Sequence, residues 1–144
     1  YSLVDYKNSK TKVKIVCPKH GIFKKRPDKI LLGYGCIFCN KSKGEKTIIN
    51  YLKENKINHI IQKTFNECKN IRLLPFDFYI PDLNLCIEYD GIQHFKPIEY
   101  FGGKEGLEKR KINDNIKNNY CKENNINLLR IKYNEDIFKK LELI

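Results

Sequence analysis

The chain contains no methionine and begins at Tyr1. Together these lead us to expect a fragment of a longer protein. There is no N-terminal pattern of a secretory signal, and no apolar run approaches the roughly 20 residues of a membrane span. A soluble, cytoplasmic protein is expected, in the host-cell cytoplasm if a virus or phage encodes it. No internal repeat is visible. Acidic residues are also scarce: 17 Asp and Glu stand against 28 Lys and Arg, a net charge of +11. Such an excess points to a polyanionic partner, with nucleic acid the usual one. The plainer reading is a lysine-rich solubilising surface.

The 144 residues suffice for one full domain, or for a small domain beside a minimal one. Six cysteines are present. Without a secretory signal they read as reduced, so metal binding outranks disulfides. Four potential ligands fall in two pairs, Cys17-x2-His20 and Cys36-x2-Cys39. Paired soft and borderline ligands at this spacing match a closed, tetrahedral structural zinc site. Val13–Cys17 alternates as a strand, Ile22–Lys24 reads as a second, and Pro27 opens a helical turn through Leu32. We therefore expect a metal-held module over residues 1–41, with Lys24, Lys25, Arg26 and Lys29 giving it a surface suited to phosphates.

Residues 42–144 read as a second domain. Ser42 and Glu45 form a capping-box pattern before a helix to about Asn55 that buries Ile48, Ile49 and Leu52. Glu45 lies on the side of that apolar stripe, so it is either a cap or a carboxylate reaching toward the hairpin at residues 75–95, and both are compatible. Ile57–Lys63 reads as a strand containing an ordinary His59. Cys68, in the polar connection that follows, has no partner identifiable from sequence. Lys96–Gly106 reads as a loop that either covers substrate or spans a gap. A helix over 107–124 has the stripe Ile112, Ile116 and Tyr120, with Asp114 off it on a row with Lys117 and Cys121. Asn127–Lys132 is a strand, and Asn134 caps a last helix over 135–141. The order predicts a mixed α/β sheet flanked by helices.

The centre of this domain is the stretch from Pro75 to Phe95. Phe76–Ile80 and Leu85–Asp90 alternate as two strands joined by the turn residues Pro81–Asn84. Pairing Ile80 with Leu85 sets Asp77 opposite Glu88, with Cβ atoms about 5 Å apart. Facing carboxylates repel unless a cation lies between them. Hard oxygen ligands of this kind suit magnesium, with Asp90 a further possible ligand on the face of Glu88. His94, just beyond, is a candidate general acid or base. Gly91 reads as a special backbone turn. A solvated edge hairpin with a loop histidine is the bland alternative, and the apolar flanks of both strands argue against it.

PFDFYIPDLNLCIEYDGIQHF, with KINDNIKNNYCKENNINLLRIKY, resembles the restriction-endonuclease-like PD-(D/E)XK superfamily. The resemblance is closest to the branch holding the very-short-patch-repair mismatch endonucleases and the EDxHD homing endonucleases of phages. KTKVKIVCPKHGIFKKRPDKILLGYGCIFC resembles the zinc-ribbon DNA-binding segment joined to such nucleases. The resemblance implies a restriction-endonuclease-like α/β fold behind a zinc ribbon, and a magnesium-dependent DNA endonuclease of homing or mobile-element type. It implies Glu45 as the first acidic residue, Asp77 as the main metal-binding aspartate, His94 as the catalytic histidine and Asp114 as the last acidic residue. Glu88 stands at the acidic position of the (D/E)XK element, but Glu88-Tyr89-Asp90 has no lysine, so that role passes to His94 or another group such as Lys117. Double-stranded DNA is the expected partner. The alternatives are a DNA-binding protein with a decayed nuclease fold, and a nuclease for RNA or branched DNA.

Overall fold

The computed structural model describes residues 5–144; residues 1–4, which open the range of the metal-held module, lie outside them. Its contacts fall into two compact units, one ending at Lys46 and the other spanning Thr47–Ile144. Among the described residues no helix is long and apolar enough to cross a membrane.

The N-terminal unit is built on an antiparallel hairpin of β1 (Val13–Cys17) and β2 (Gly21–Lys25), in register from Val13 opposite Lys25 to Cys17 opposite Gly21. Gly21 takes φ +77 at the bend, where a side chain would be strained. A short helix follows, α1 (Pro27–Leu31). Proline suits its first position because the missing N–H has no intrahelical partner there. The unit's buried apolar side chains are Val13, Cys17 and Cys36. Among the described residues this core is small, so a metal bound to the unit would add materially to its stability.

In α2 (Lys43–Glu54), the expected capping box forms. The Glu45 N–H donates to Ser42 Oγ at 3.2 Å, and the Ser42 N–H donates to Glu45 Oε2 at 2.9 Å. Its stripe of Ile48, Ile49 and Leu52 is buried as the periodicity requires. A four-stranded sheet follows, in the order β3 (Ile60–Lys63), β4 (Phe76–Ile80), β5 (Leu85–Asp90) and β6 (Asn127–Lys132). The first three strands are antiparallel, with Ile80 opposite Leu85 as expected, and β6 runs parallel to β5. Parallel neighbours need a crossover, and α3 (Gly103–Glu123) supplies it. A last short helix, α4 (Ile137–Leu141), ends the chain's regular structure. The architecture is thus a mixed α/β sheet with helices.

Both faces of β5 are buried, which places it at the centre of the unit. On one face Cys86 packs with Cys68, Leu74, Phe76 and Cys121, ringed by half-buried Phe65, Tyr79, Ile116, Tyr120 and Leu128. Cys68, unpartnered in the sequence, is a small apolar filler here. The register sets Phe78 opposite Ile87, Ile80 opposite Leu85 and Ile131 beside Tyr89, on the other face of β5, and Phe78, Ile80, Ile87 and Ile131 are all fully buried. Leu85 of β5 and Leu107 of α3 are buried too, and Ile48, Ile49, Leu52 and Leu141 come from α2 and α4, whose rings Tyr51 and Phe138 meet at 6.3 Å.

Four local expectations are corrected. Of the expected stripe on α3, Ile116 and Tyr120 pack against the core but Ile112 is exposed, while Leu107 and Cys121 are buried and Asp114 and Lys117 half-buried. The sheet offers this helix carboxylates, and ion pairing with them joins apolar burial in setting its rotation. The loop 96–106 is shorter than expected, because a 3-10 turn at Glu99–Phe101 and left-handed Gly102 and Gly103 let α3 begin at Gly103. Asp136, not Asn134, caps α4 by accepting the Lys139 N–H at 3.2 Å. Gly91 has φ −68, which any residue adopts, so no special turn exists there.

Ile87→Ala should lower unfolding free energy by about 2–5 kcal/mol in urea titration, because its central site is fully enclosed. Ile71→Ala, at a residue 94% exposed, should stay within about 0.5 kcal/mol. Similar losses for both would contradict this placement of the core.

Candidate functional site

Two clusters of chemistry-bearing side chains stand out, one in each unit. In the first, Cys17, His20, Cys36 and Cys39 each bring a ligand atom within 4.8 Å of the others. His20 Nδ1 lies 3.5, 3.6 and 3.4 Å from the sulfurs of Cys17, Cys36 and Cys39, and Cys17 Sγ lies 3.6 Å from Cys39 Sγ. Tetrahedral ligation at ordinary metal–sulfur and metal–nitrogen lengths sets neighbouring ligands about 3.6–3.8 Å apart. The donor set and its spacing therefore fit a metal ion. Burial opposes ionisation of Cys17, but the Lys19 backbone N–H and bonds with His20 and Cys39 lower its pKa to about 6. The neighbouring thiol of Cys39 is raised, chiefly by its hydrogen bond with Cys17. Two thiols sharing protons in this way are poised to lose them to a cation.

The second cluster is carried by β4, β5, the turn after β5, α3 and β6. The paired rungs of β4 and β5 end at Phe78 opposite Ile87. Beyond them the carboxylates replace backbone partners: the Asp77 N–H donates to Glu88 Oε1 at 3.2 Å, and the Tyr89 N–H donates to Asp77 Oδ2 at 2.8 Å. Glu88 is buried, and Lys117 on α3 reaches both its oxygens at 3.0 and 3.1 Å. Burial first, and the charge of Asp77 second, push Glu88 up to about 7 against the pull of Lys117. Glu88 thus titrates near neutrality.

Asp90, His94 and Asp114 form a group whose ligand atoms also lie within 4.8 Å of one another. A 3-10 turn, Ile92–His94, sets His94 beside α3, where Nδ1 is 2.8 Å from Asp114 Oδ2 and 3.8 Å from Asp90 Oδ1. The hydrogen bond to Asp114 raises the pKa of His94 despite partial burial. Burial opposes the charge on Asp114, but the His94 hydrogen bond outweighs it and holds that carboxyl below its usual range. Arg130 on β6 donates to Asp90 Oδ1 at 2.7 Å, to Asn118 Oδ1 at 2.8 Å and to the Asp114 carbonyl at 3.4 Å. Arg110 fastens the turn from behind, donating to the carbonyls of Gln93 and Phe101 at 2.8 Å each.

Asp90, His94 and Asp114 are therefore brought together, and Asp77 and Glu88 face each other on the adjoining strands, with Lys117 bound to Glu88 and Arg130 to Asp90 and Asp114. Glu45 belongs to the other unit, where Lys41 Nζ is 2.9 Å from Oε1 and the Ser42 N–H occupies Oε2. Of its two readings, the cap is the one these bonds express. Sequence reasoning missed Arg130. Its signal was a cation on the same strand face as Leu128, but only the parallel register, Glu88 beside Arg130, ties it to the carboxylates.

Fold and site define a two-unit α/β protein, with a metal-competent Cys3His module and a carboxylate–histidine cluster at the end of a mixed sheet. Residues 1–40 match the model of a family described as a protein of unknown function (DUF723), and the matched segment holds all four Cys and His ligands. A stretch of 61 residues is 38% identical to "Uncharacterized protein 307L" of Invertebrate iridescent virus 6, covering 42% of this chain and 31% of that protein. The chain thus spans under a third of that relative's length. No solved structure matches.

Purified protein should contain one tightly bound metal ion per chain by elemental analysis, and Cys36→Ser should lose it. Equal metal content in both would show that the cluster is not the ligand set. In metal-free protein, Lys117→Met should raise the pKa of Glu88, since the ammonium favours the ionised form. Infrared difference spectra would record the protonated-carboxyl band persisting to higher pH; an unmoved band would contradict the pairing.

Proposed function

We propose that the chain is a magnesium-dependent DNA endonuclease of homing or mobile-element type, with a restriction-endonuclease-like fold and a zinc ribbon that holds DNA. The observation that carries this is the convergence of Asp77, Glu88, Asp90, His94 and Asp114 at one end of the sheet. Four carboxylates there face two permanent cations, Lys117 and Arg130. The residual negative charge and hard oxygen donors fit one divalent ion, for which Asp77 and Glu88 are the ligands of choice and Asp90 a further one. When bound, magnesium would polarise a phosphate and lower the pKa of a water.

The chain's own groups do the rest. Asp114 accepts from Nδ1 of His94, which fixes the ring and leaves Nε2 to give or take a proton. The raised pKa keeps more of His94 protonated near neutral pH, which suits donation to a leaving oxygen. Lys117 supplies, from α3, an ammonium beside Glu88, where Glu88-Tyr89-Asp90 lacks the lysine of the (D/E)XK pattern. The Cys3His set and its interatomic distances favour zinc in the N-terminal unit. The charge of +11 would draw the protein to the duplex through phosphates. The viral relative is consistent with a virus-encoded protein.

A second reading has one observation in its favour. Lys117 and Arg130 already neutralise Glu88 and Asp90, as expected of a DNA-binding protein whose nuclease site has decayed. Supercoiled plasmid with magnesium separates the two. The nuclease should nick or linearise it, and Asp77→Ala should abolish cleavage while leaving DNA binding intact. Undiminished cleavage by that variant would sink the assignment, and no cleavage by the unaltered chain would favour the second reading.

A further inference from the structure

Formal charge is divided unevenly between the two units. Residues 1–46 hold 12 Lys and Arg against 3 Asp and Glu, a net +9, whereas residues 47–144 hold 16 against 14, a net +2. Attraction to a polyanion therefore resides in the N-terminal unit. Its β1–β2 hairpin has two unlike faces. Val13, Ile15, Cys17 and Phe23 share the half-buried to buried side with the metal ligand Cys17. Lys14, Val16, Ile22 and Lys24 share the other, and all four are exposed, Val16 by 54% and Ile22 by 60%.

The register makes that outward face unusual. Lys14 stands directly opposite Lys24, and Val16 directly opposite Ile22. Like charges on facing positions destabilise a strand pair, and exposed β-branched side chains gain nothing from burial. Among the described residues neither lysine forms an ion pair. Against duplex DNA both features become favourable. The major groove admits a two-stranded β ribbon, its edges are phosphates, and its floor displays the 5-methyl groups of thymine. Another exposed surface of the unit, around Tyr34, is less suited, because Lys25 and Lys29 already lie over that ring at 5.8 Å each.

We propose that the outward face of the β1–β2 hairpin is a DNA-reading surface that enters the major groove, with Lys14 and Lys24 on phosphates and Val16 and Ile22 against thymine methyl groups. This rests on the reading of the chain as DNA-binding, but not on catalysis. The test is equilibrium binding of the full, metal-loaded chain to poly(dA·dT) and to poly(dA·dU), which lacks the methyl groups, over a salt series. The unaltered chain should prefer poly(dA·dT), and Val16→Ser with Ile22→Ser should erase the preference. Lys14→Gln with Lys24→Gln should weaken binding to both duplexes and lower the slope of log affinity against log salt by about two. Unchanged metal content and circular dichroism would certify the fold of each variant.

An unchanged slope in the lysine variant overturns the proposal, as does equal affinity of the unaltered chain for the two duplexes. Stronger binding to an RNA duplex, whose deep, narrow major groove excludes a ribbon, also overturns it. Plasmid nicking is read in parallel. Binding as described without nicking removes the nuclease assignment and leaves the hairpin surface standing. Nicking with an indifferent lysine variant removes the hairpin surface alone.

Discussion

The structure depends on two carboxylates, Glu88 and Asp90, buried in the central strand of its sheet. An unpaired carboxylate in such a place is strongly unfavourable, so its neighbours must answer it with charge or with protons. They do both. Lys117 approaches Glu88 from the helix, Arg130 approaches Asp90 from the next strand, and Glu88 remains so burdened that it titrates near neutrality. The same demand fixes how α3 is turned, because the row carrying Asp114 and Lys117 must face the sheet. Leu107 and Cys121 are buried on the same helix.

Much of this was legible in the residues. The Cys and His spacing announced the four-ligand cluster, and the Ser42–Glu45 pattern announced a capping box that forms as written. Alternation in β4 and β5, with one turn between them, set the hairpin register at Ile80 and Leu85. What failed had a common cause. The stripe on α3 was read as apolar periodicity, whereas the side of the helix that turns inward also carries charge. Arg130 escaped because a parallel partner lies beyond a long crossover, and no local pattern records which residue meets which. The cap of α4 moved from Asn134 to Asp136 because both are competent and only the strand's end decides.

The two units also divide labour by charge. The N-terminal one carries nearly all of the positive excess and very little core, so its surface is set by lysines and its interior by four metal-binding side chains. The larger unit is almost neutral and well packed. In the first, the outward lysine face and the ligand face of the hairpin alternate along the same strands.

The crossover between β5 and β6 has a consequence for the order in which the protein is made. Asp90 leaves the ribosome well before Arg130, and between them come His94, the turn and the whole of α3. Until β6 joins the sheet, the strand at its centre would carry one carboxylate without its guanidinium. The cluster therefore cannot close in a nascent chain that stops short of β6. Its last component is also the one that makes its burial tolerable, so completion of the sheet and completion of the site are one event.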